Sequence, residues 1–162
     1  MSEREAFLRT YEREHGVTRK VLHAYPADQA GLKPTERSSS AQQLAATFVS
    51  EEKMMLRALK REPVLGGVAD GAPKTWAEAL ERFDAQHREM LQLLGDGADD
   101  LLDGKVPFFV APRTMGEFRT SDFLWFMLHD QIHHRGQLTV YLRMAGGKVP
   151  SVYGPSGDEP WT

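Results

Sequence analysis

No cysteine occurs among the 162 residues, which excludes disulfides, a thiolate nucleophile belonging to the chain and any Cys-type zinc site. A reducing cytoplasm is the location that fits this composition. Long apolar runs are missing too: no window approaches the roughly 18 residues that a membrane-spanning helix needs. The first residues, Met1-Ser2-Glu3-Arg4-Glu5, are charged where a secretory leader would turn apolar. Nor does one sign of charge dominate. Against 20 basic residues stand 23 acidic ones, a net charge of −3 with no dense Lys/Arg run, so neither nucleic acid nor a membrane is an expected partner. Internal repeats and low-complexity blocks are absent. What is left reads as one domain, residues 1–162, large enough to bury a real core.

The helices announce themselves by their caps. Ser2-x-x-Glu5 has the capping-box form, in which serine and glutamate satisfy free amides at a helix start. The first helix is expected to reach His23 or Ala24, with Leu8, Tyr11, His15, Thr18 and Leu22 at helical spacing before Pro26. After a loop over residues 25–39, Ser40-x-x-Gln43 opens a second helix with Leu44, Phe48, Met55 and Leu59 on one stripe, closed by Pro63. Thr75-x-x-Glu78 opens a third, carrying Trp76, Leu80, Phe83, His87, Met90 and Leu94, with Gly95 its expected stop. Residues 96–119 are irregular, and Val106-Pro107-Phe108-Phe109-Val110 reads as a short strand or extended flap. The fourth helix starts near Thr120 or Ser121 and ends before Gly146-Gly147; the Pro/Gly-rich tail, 148–162, reads as a packed loop. Four amphipathic segments predict an all-α four-helix bundle, with first and third connections long enough to cross its end or side.

Chemistry concentrates in the fourth helix. In His129-Asp130-Gln131-Ile132-His133-His134-Arg135-Gly136-Gln137, His129 and His133 are four residues apart on one helical face, so two imidazoles can meet one divalent cation. Two ligands make a weak site, and the same pair also reads as hydrogen-bonded packing histidines. His134 is turned about 100° from His133 and is expected outside the site. The segment approximates the H-E-x-x-H pattern of zinc peptidases. Asp130 is one methylene shorter than the glutamate that acts there as general base, and a bundle has no strand to align a peptide, so that reading is set aside. Gly136 costs about 1 kcal/mol relative to alanine inside a helix, which predicts a close approach there by another helix or by a ligand, tight helix packing first. Arg135 and Arg143 are expected in salt bridges or at a dimer contact.

His129-x-x-x-His133-His134-Arg135-Gly136-Gln137, followed by Leu142-Arg143 and a glycine turn, resembles the DinB-like superfamily. The Ser40-x-x-Gln43-Leu44 opening of the second helix and the order of all four helices extend the resemblance over nearly the whole chain. It implies a DinB-like four-helix bundle, commonly a homodimer, holding a divalent metal, zinc or nickel, through three histidines: one from the second helix and two from the fourth. Carried over, the latter are His129 and His133. The second-helix histidine falls at Thr47, whose neutral hydroxyl is a poor ligand for either metal. The third ligand is open among Glu51, one turn beyond Thr47, its neighbour Glu52, and His87. Glu51 is the better placed to turn inward, and His129, His133 and Glu51 form the expected metal set. The implied function is that of a metal-dependent enzyme like the thiol-dependent transferases and isomerases of the superfamily. A low-molecular-weight thiol would be the cosubstrate, and hydrolysis by metal-activated water is a second chemistry. The incomplete histidine triad supports a contrary expectation: a non-catalytic, dimeric, stress-associated binding protein that has lost its metal.

Overall fold

A computed structural model describes residues 1–65, 71–98 and 100–162. Its helices are α1 (Glu3–Ala24), α2 (Ala41–Leu59), α3 (Trp76–Asp96) and α4 (Thr120–Met144). Ser2 and Ser40 form complete capping boxes, and the Thr75 hydroxyl accepts from the Glu78 amide, so three helices start where their caps predict. α3 runs past Gly95 and stops at Gly97, where a Cβ would lie 2.6 Å from the Leu93 carbonyl oxygen. The irregular stretch before α4 contains a hairpin. β1 (Lys105–Ala111) pairs antiparallel with β2 (Thr114–Arg119), Lys105 opposite Arg119 and Phe108 opposite Gly116. Strand β2 passes into α4 with no intervening residue. Arg119 and Ser121 donate to the Glu3 carboxylate at 2.5–3.0 Å, clasping the first turns of α1 and α4.

Two apolar clusters fill the bundle. One gathers Phe7, Met55, Leu59, Met90, Phe123 and Met127; the other gathers Val21, Leu22, Phe48, Trp76, Phe83 and Leu138. Going from N- to C-terminus, α1 and α4 pass from the first cluster to the second, and α2 and α3 from the second to the first. The order is therefore up-down-down-up. Side-by-side neighbours are α1 with α3 and α4, and α2 with α3 and α4. The first and third connections cross the ends along diagonals, as their lengths allow, and the second, residues 60–75, joins opposite ends.

Between the clusters lies a layer of buried polar groups. Arg135 is 1% exposed. Its guanidinium donates to Glu14 Oε2 at 2.8 Å, to the Glu14 carbonyl and Thr18 Oγ1 at 3.2 Å, and lies 5.0 Å from the Tyr153 ring centroid. The Tyr153 hydroxyl donates to Glu14 Oε2 at 2.5 Å, tying the C-terminal tail to the same pair. Burial would raise the Glu14 carboxyl, but bonds from Tyr153, Arg135 and Arg13 outweigh it and hold Glu14 below the usual carboxylate range. Arg135 is thus a salt-bridge residue of the interior. Arg143 pairs with Asp158 at 2.9 Å on the surface. Gly136 is exposed, and a Cβ there would meet nothing within 4 Å, so the expected close approach does not occur.

The layer also holds His15 and His87, whose rings stack with centroids 3.5 Å apart and planes 8° from parallel. His15 Nε2 and His87 Nδ1 are buried without a hydrogen-bond partner. Burial, then the neighbouring His87, pushes His15 down to about 3 against the pull of Asp84, 3.7 Å away. Burial likewise pushes His87 down to about 4.

Two outcomes are expected. Arg135→Met removes the buried cation from Glu14, leaving it Arg13 and the Tyr153 hydroxyl, and costs about 3 kcal/mol in urea denaturation, whereas Glu14→Leu with Arg135→Met recovers most of that loss. Equal stability of the single and double variants would show that the pair does not act as a unit. On acidification, the unfolded chain takes up a proton on His15 near pH 6.5 that the folded chain refuses until about pH 3. Stability therefore falls with pH through that window, by up to about 1.4 kcal/mol per pH unit for this group. In His15→Phe the acid limb of the stability–pH curve becomes shallower by about one proton; parallel curves would clear His15 of the effect.

Candidate metal centre

At the level of the polar layer, α2 faces α4, and three side chains converge. Glu51 comes from α2; Asp130 and His134 come from α4, four residues apart and hence on one face. One ligand atom from each lies within 4.8 Å of the others, and among the described residues this is the group of His, Asp and Glu side chains that could hold a metal. His134 Nδ1 is 2.9 Å from Glu51 Oε1 and 3.9 Å from Asp130 Oδ1. Glu51 is 2% exposed and its second oxygen, Oε2, is buried without a partner.

Burial dominates the electrostatics of Glu51 and pushes its carboxyl up to about 8; the His134 bond and charge oppose this, and Asp130 reinforces it. The bond to Glu51 raises His134 above its ordinary range, with burial opposing and Asp130 assisting. The two groups titrate as one coupled pair. A cation bound there would compete with protons for both groups.

The fit to a divalent ion rests on the orphaned Oε2 and on the donors. Two carboxylates and one imidazole are recognised ligand types, brought from two rigid helices. The expected pair, His129 and His133, lies elsewhere. Both are exposed: the His129 ring stacks near Trp125 at 6.0 Å between centroids, and His133 Nε2 is 2.9 Å from Gln137 Nε2. Glu51 therefore meets the i, i+4 pair one residue further on, and His134, expected outside the site, stands in it. At 100° per residue, a shift of one position turns a pair from the outer face toward α2.

The other expected substitutes have different partners. Glu52 is fully buried and points toward α1, accepting from the Tyr11 hydroxyl at 2.5 Å and Gln131 Nε2 at 3.1 Å, with burial pushing it up to about 7. His87 belongs to the stack with His15. Thr47 is half-buried one turn before Glu51 and donates to the Gln43 carbonyl at 3.0 Å. The signal that would have singled out Asp130 and His134 is the buried stripe Leu124, Leu128, Gln131, Arg135, Leu138 and Leu142, beside which they lie. Its middle is polar and α4 also carries exposed Phe126, Val140 and Met144, so apolar periodicity alone does not display it.

Fold and centre together define a four-helix bundle with a candidate metal group at mid-height. The chain belongs to the DinB family, whose model matches residues 1–161. It is similar to the uncharacterized protein YrdA of Bacillus subtilis, 53% identical over 39 residues, a stretch that is 24% of this chain and 23% of that protein's length. In fold it is similar to a DinB-like protein from Bacillus cereus, with a TM-score of 0.74 and 22% identity, covering 92% of this chain and 97% of that one. A DinB-like protein from Bacillus subtilis, YjoA, gives a TM-score of 0.71 and 17% identity, with 91% and 97% covered. Among the described residues no helix is long and apolar enough to cross a membrane.

His134→Ala is expected to remove divalent-metal binding measured by isothermal titration with zinc, while His129→Ala/His133→Ala keeps it and changes stability by no more than about 0.5 kcal/mol, as exposed positions do. Loss of binding in the double variant and retention in His134→Ala would reverse the assignment.

Proposed function

We propose that Glu51, Asp130 and His134 hold a divalent metal, and that the protein carries out a thiol-dependent transfer of the kind its sequence resemblance implies. Glu51 carries the reading. A carboxylate 2% exposed, with one oxygen lacking any partner, is costly to keep charged in the interior, and a cation shared with Asp130 and His134 would offset that cost. Two carboxylates and one imidazole form a harder donor set than three histidines, so manganese joins zinc and nickel as an expected occupant. When bound, the ion supplies Lewis acidity that lowers the pKa of a coordinated thiol or water.

The chain's own residues do the rest. Glu51 fixes the position of the site on α2, and Asp130 and His134 fix it on α4. The bonds from Tyr11 and Gln131 to Glu52 hold the same turn of α2 in place from the other side. With no cysteine in the chain, the thiol comes from a cosubstrate. We infer a cytoplasmic homodimer, supported by the resemblance, by the absence of cysteine and by the exposed apolar Phe109, Val110, Met115 and Phe126.

A second reading has its own observation. Glu51 Oε1 lies 2.9 Å from His134 Nδ1, and such a direct pair is also what a metal-free binding protein would use to satisfy a buried carboxyl. Metal analysis of tag-free protein purified without chelator separates the two. Near-stoichiometric metal is expected, together with stabilisation of about 2.7 kcal/mol at a metal concentration 100 times Kd. No metal, and an unmoved melting temperature with zinc, nickel and manganese, would leave the metal-free reading.

A further inference from the structure

A cavity of about 510 Å³ opens between α2, α4 and the connection before α2, and His134 forms part of its wall. It adjoins the Glu51–Asp130–His134 group, since Thr47, which also lines it, is one turn from Glu51. Its walls carry an unusual charge pattern for a cleft beside a metal group. Leu44 and Val140 are apolar; Thr47, Gln137 and Tyr141 are polar and neutral. Among the described residues, no Lys, Arg, Asp or Glu side chain lines it.

The polar walls are largely preset. Tyr141 donates to the Ser39 carbonyl at 3.0 Å, Thr47 to the Gln43 carbonyl at 3.0 Å, and the Gln137 amide nitrogen faces His133. With a divalent cation bound, Glu51 and Asp130 would both be ionised and would cancel its two charges, so the centre would add no net attraction for an anion. A three-histidine centre would leave those two charges uncancelled. In this chain the cavity walls apart from His134 are uncharged, and the metal-loaded group would be close to neutral as well.

We propose that this cavity admits a small uncharged ligand and discriminates against anionic and cationic ones. The inference rests on the metal-centre reading and adds the substrate class to it. An ionised tail entering the cavity would leave water for walls that supply no opposite charge, and that desolvation is what rejects it. The ligand's uncharged body would lie against Leu44 and Val140, with its polar groups near Gln137 and Thr47.

Cobalt(II)-loaded full-length protein supplies the test, with thiolate-to-cobalt charge-transfer absorption as the readout. The probes are 2-mercaptoethanol, its anionic counterpart 2-mercaptoethanesulfonate and the cationic thiocholine. Mercaptoethanol is expected to bind about tenfold more tightly than either charged thiol, the ratio that roughly 1.4 kcal/mol of uncompensated desolvation gives. Val140 is 57% exposed at the rim, so Val140→Lys should fold normally and shift the preference toward the sulfonate. Equal binding of all three thiols, or an unchanged order in Val140→Lys, overturns the proposal while leaving the metal centre standing. Failure of cobalt to bind removes the metal centre and this proposal with it.

Discussion

The ion pair between Arg135 and Glu14 is the constraint around which the bundle interior is arranged. Both side chains are almost wholly buried, so each must find charge and hydrogen bonds within the protein. Thr18, the Glu14 carbonyl and Tyr153 complete that requirement for the guanidinium. Satisfying it sets the rotation of α4 against α1, because only one angular position brings Arg135 to Glu14. That rotation in turn aims Asp130 and His134 at α2. A purely apolar interface would tolerate several rotations; a buried ion pair with directional hydrogen bonds does not.

On α2 the same logic works through two consecutive glutamates. Neighbouring residues on a helix diverge by about 100°, so Glu51 reaches toward α4 while Glu52 crosses the core to Tyr11 on α1. Burial raises both carboxyls, yet their partners differ in kind. Glu52 has both oxygens engaged by neutral donors and reads as structural. Glu51 has one oxygen on a histidine and one on nothing, which marks it as the residue with capacity for a ligand. The contrast separates a site from a scaffold within a single turn.

Much of the architecture was legible because local chemistry specifies it. Ser2, Ser40 and Thr75 mark helix starts through side-chain oxygens that accept amide hydrogens, a signal needing no tertiary information. Gly95 misled by two residues, since the actual stop at Gly97 depends on the approach of Leu101 and Leu93. Glu51 was identified as turning inward from its position a turn after Thr47. The candidate pair on α4 lies one residue beyond His129 and His133, because histidine spacing says which residues share a face and not which face is buried. Burial there is decided by Arg135 and Gln131, polar residues whose interior position follows from partners on α1 and α2. Helix periodicity weights such residues as solvent-facing, so the two that orient the site count against the correct stripe.

The up-down-down-up order bears on how the chain reaches this structure. α1 and α2 sit across one diagonal and α3 and α4 across the other, so neither pair joined by an end connection forms a helical hairpin. The one sequence-adjacent pair that packs side by side, α2 with α3, runs parallel and must be linked back along the full bundle. The contacts that join one helix to another thus link segments distant in sequence, and loop-closure entropy is lost before they can form. Neither half of the chain has a self-sufficient core. The bundle is closed by α4, which packs against both α1 and α2.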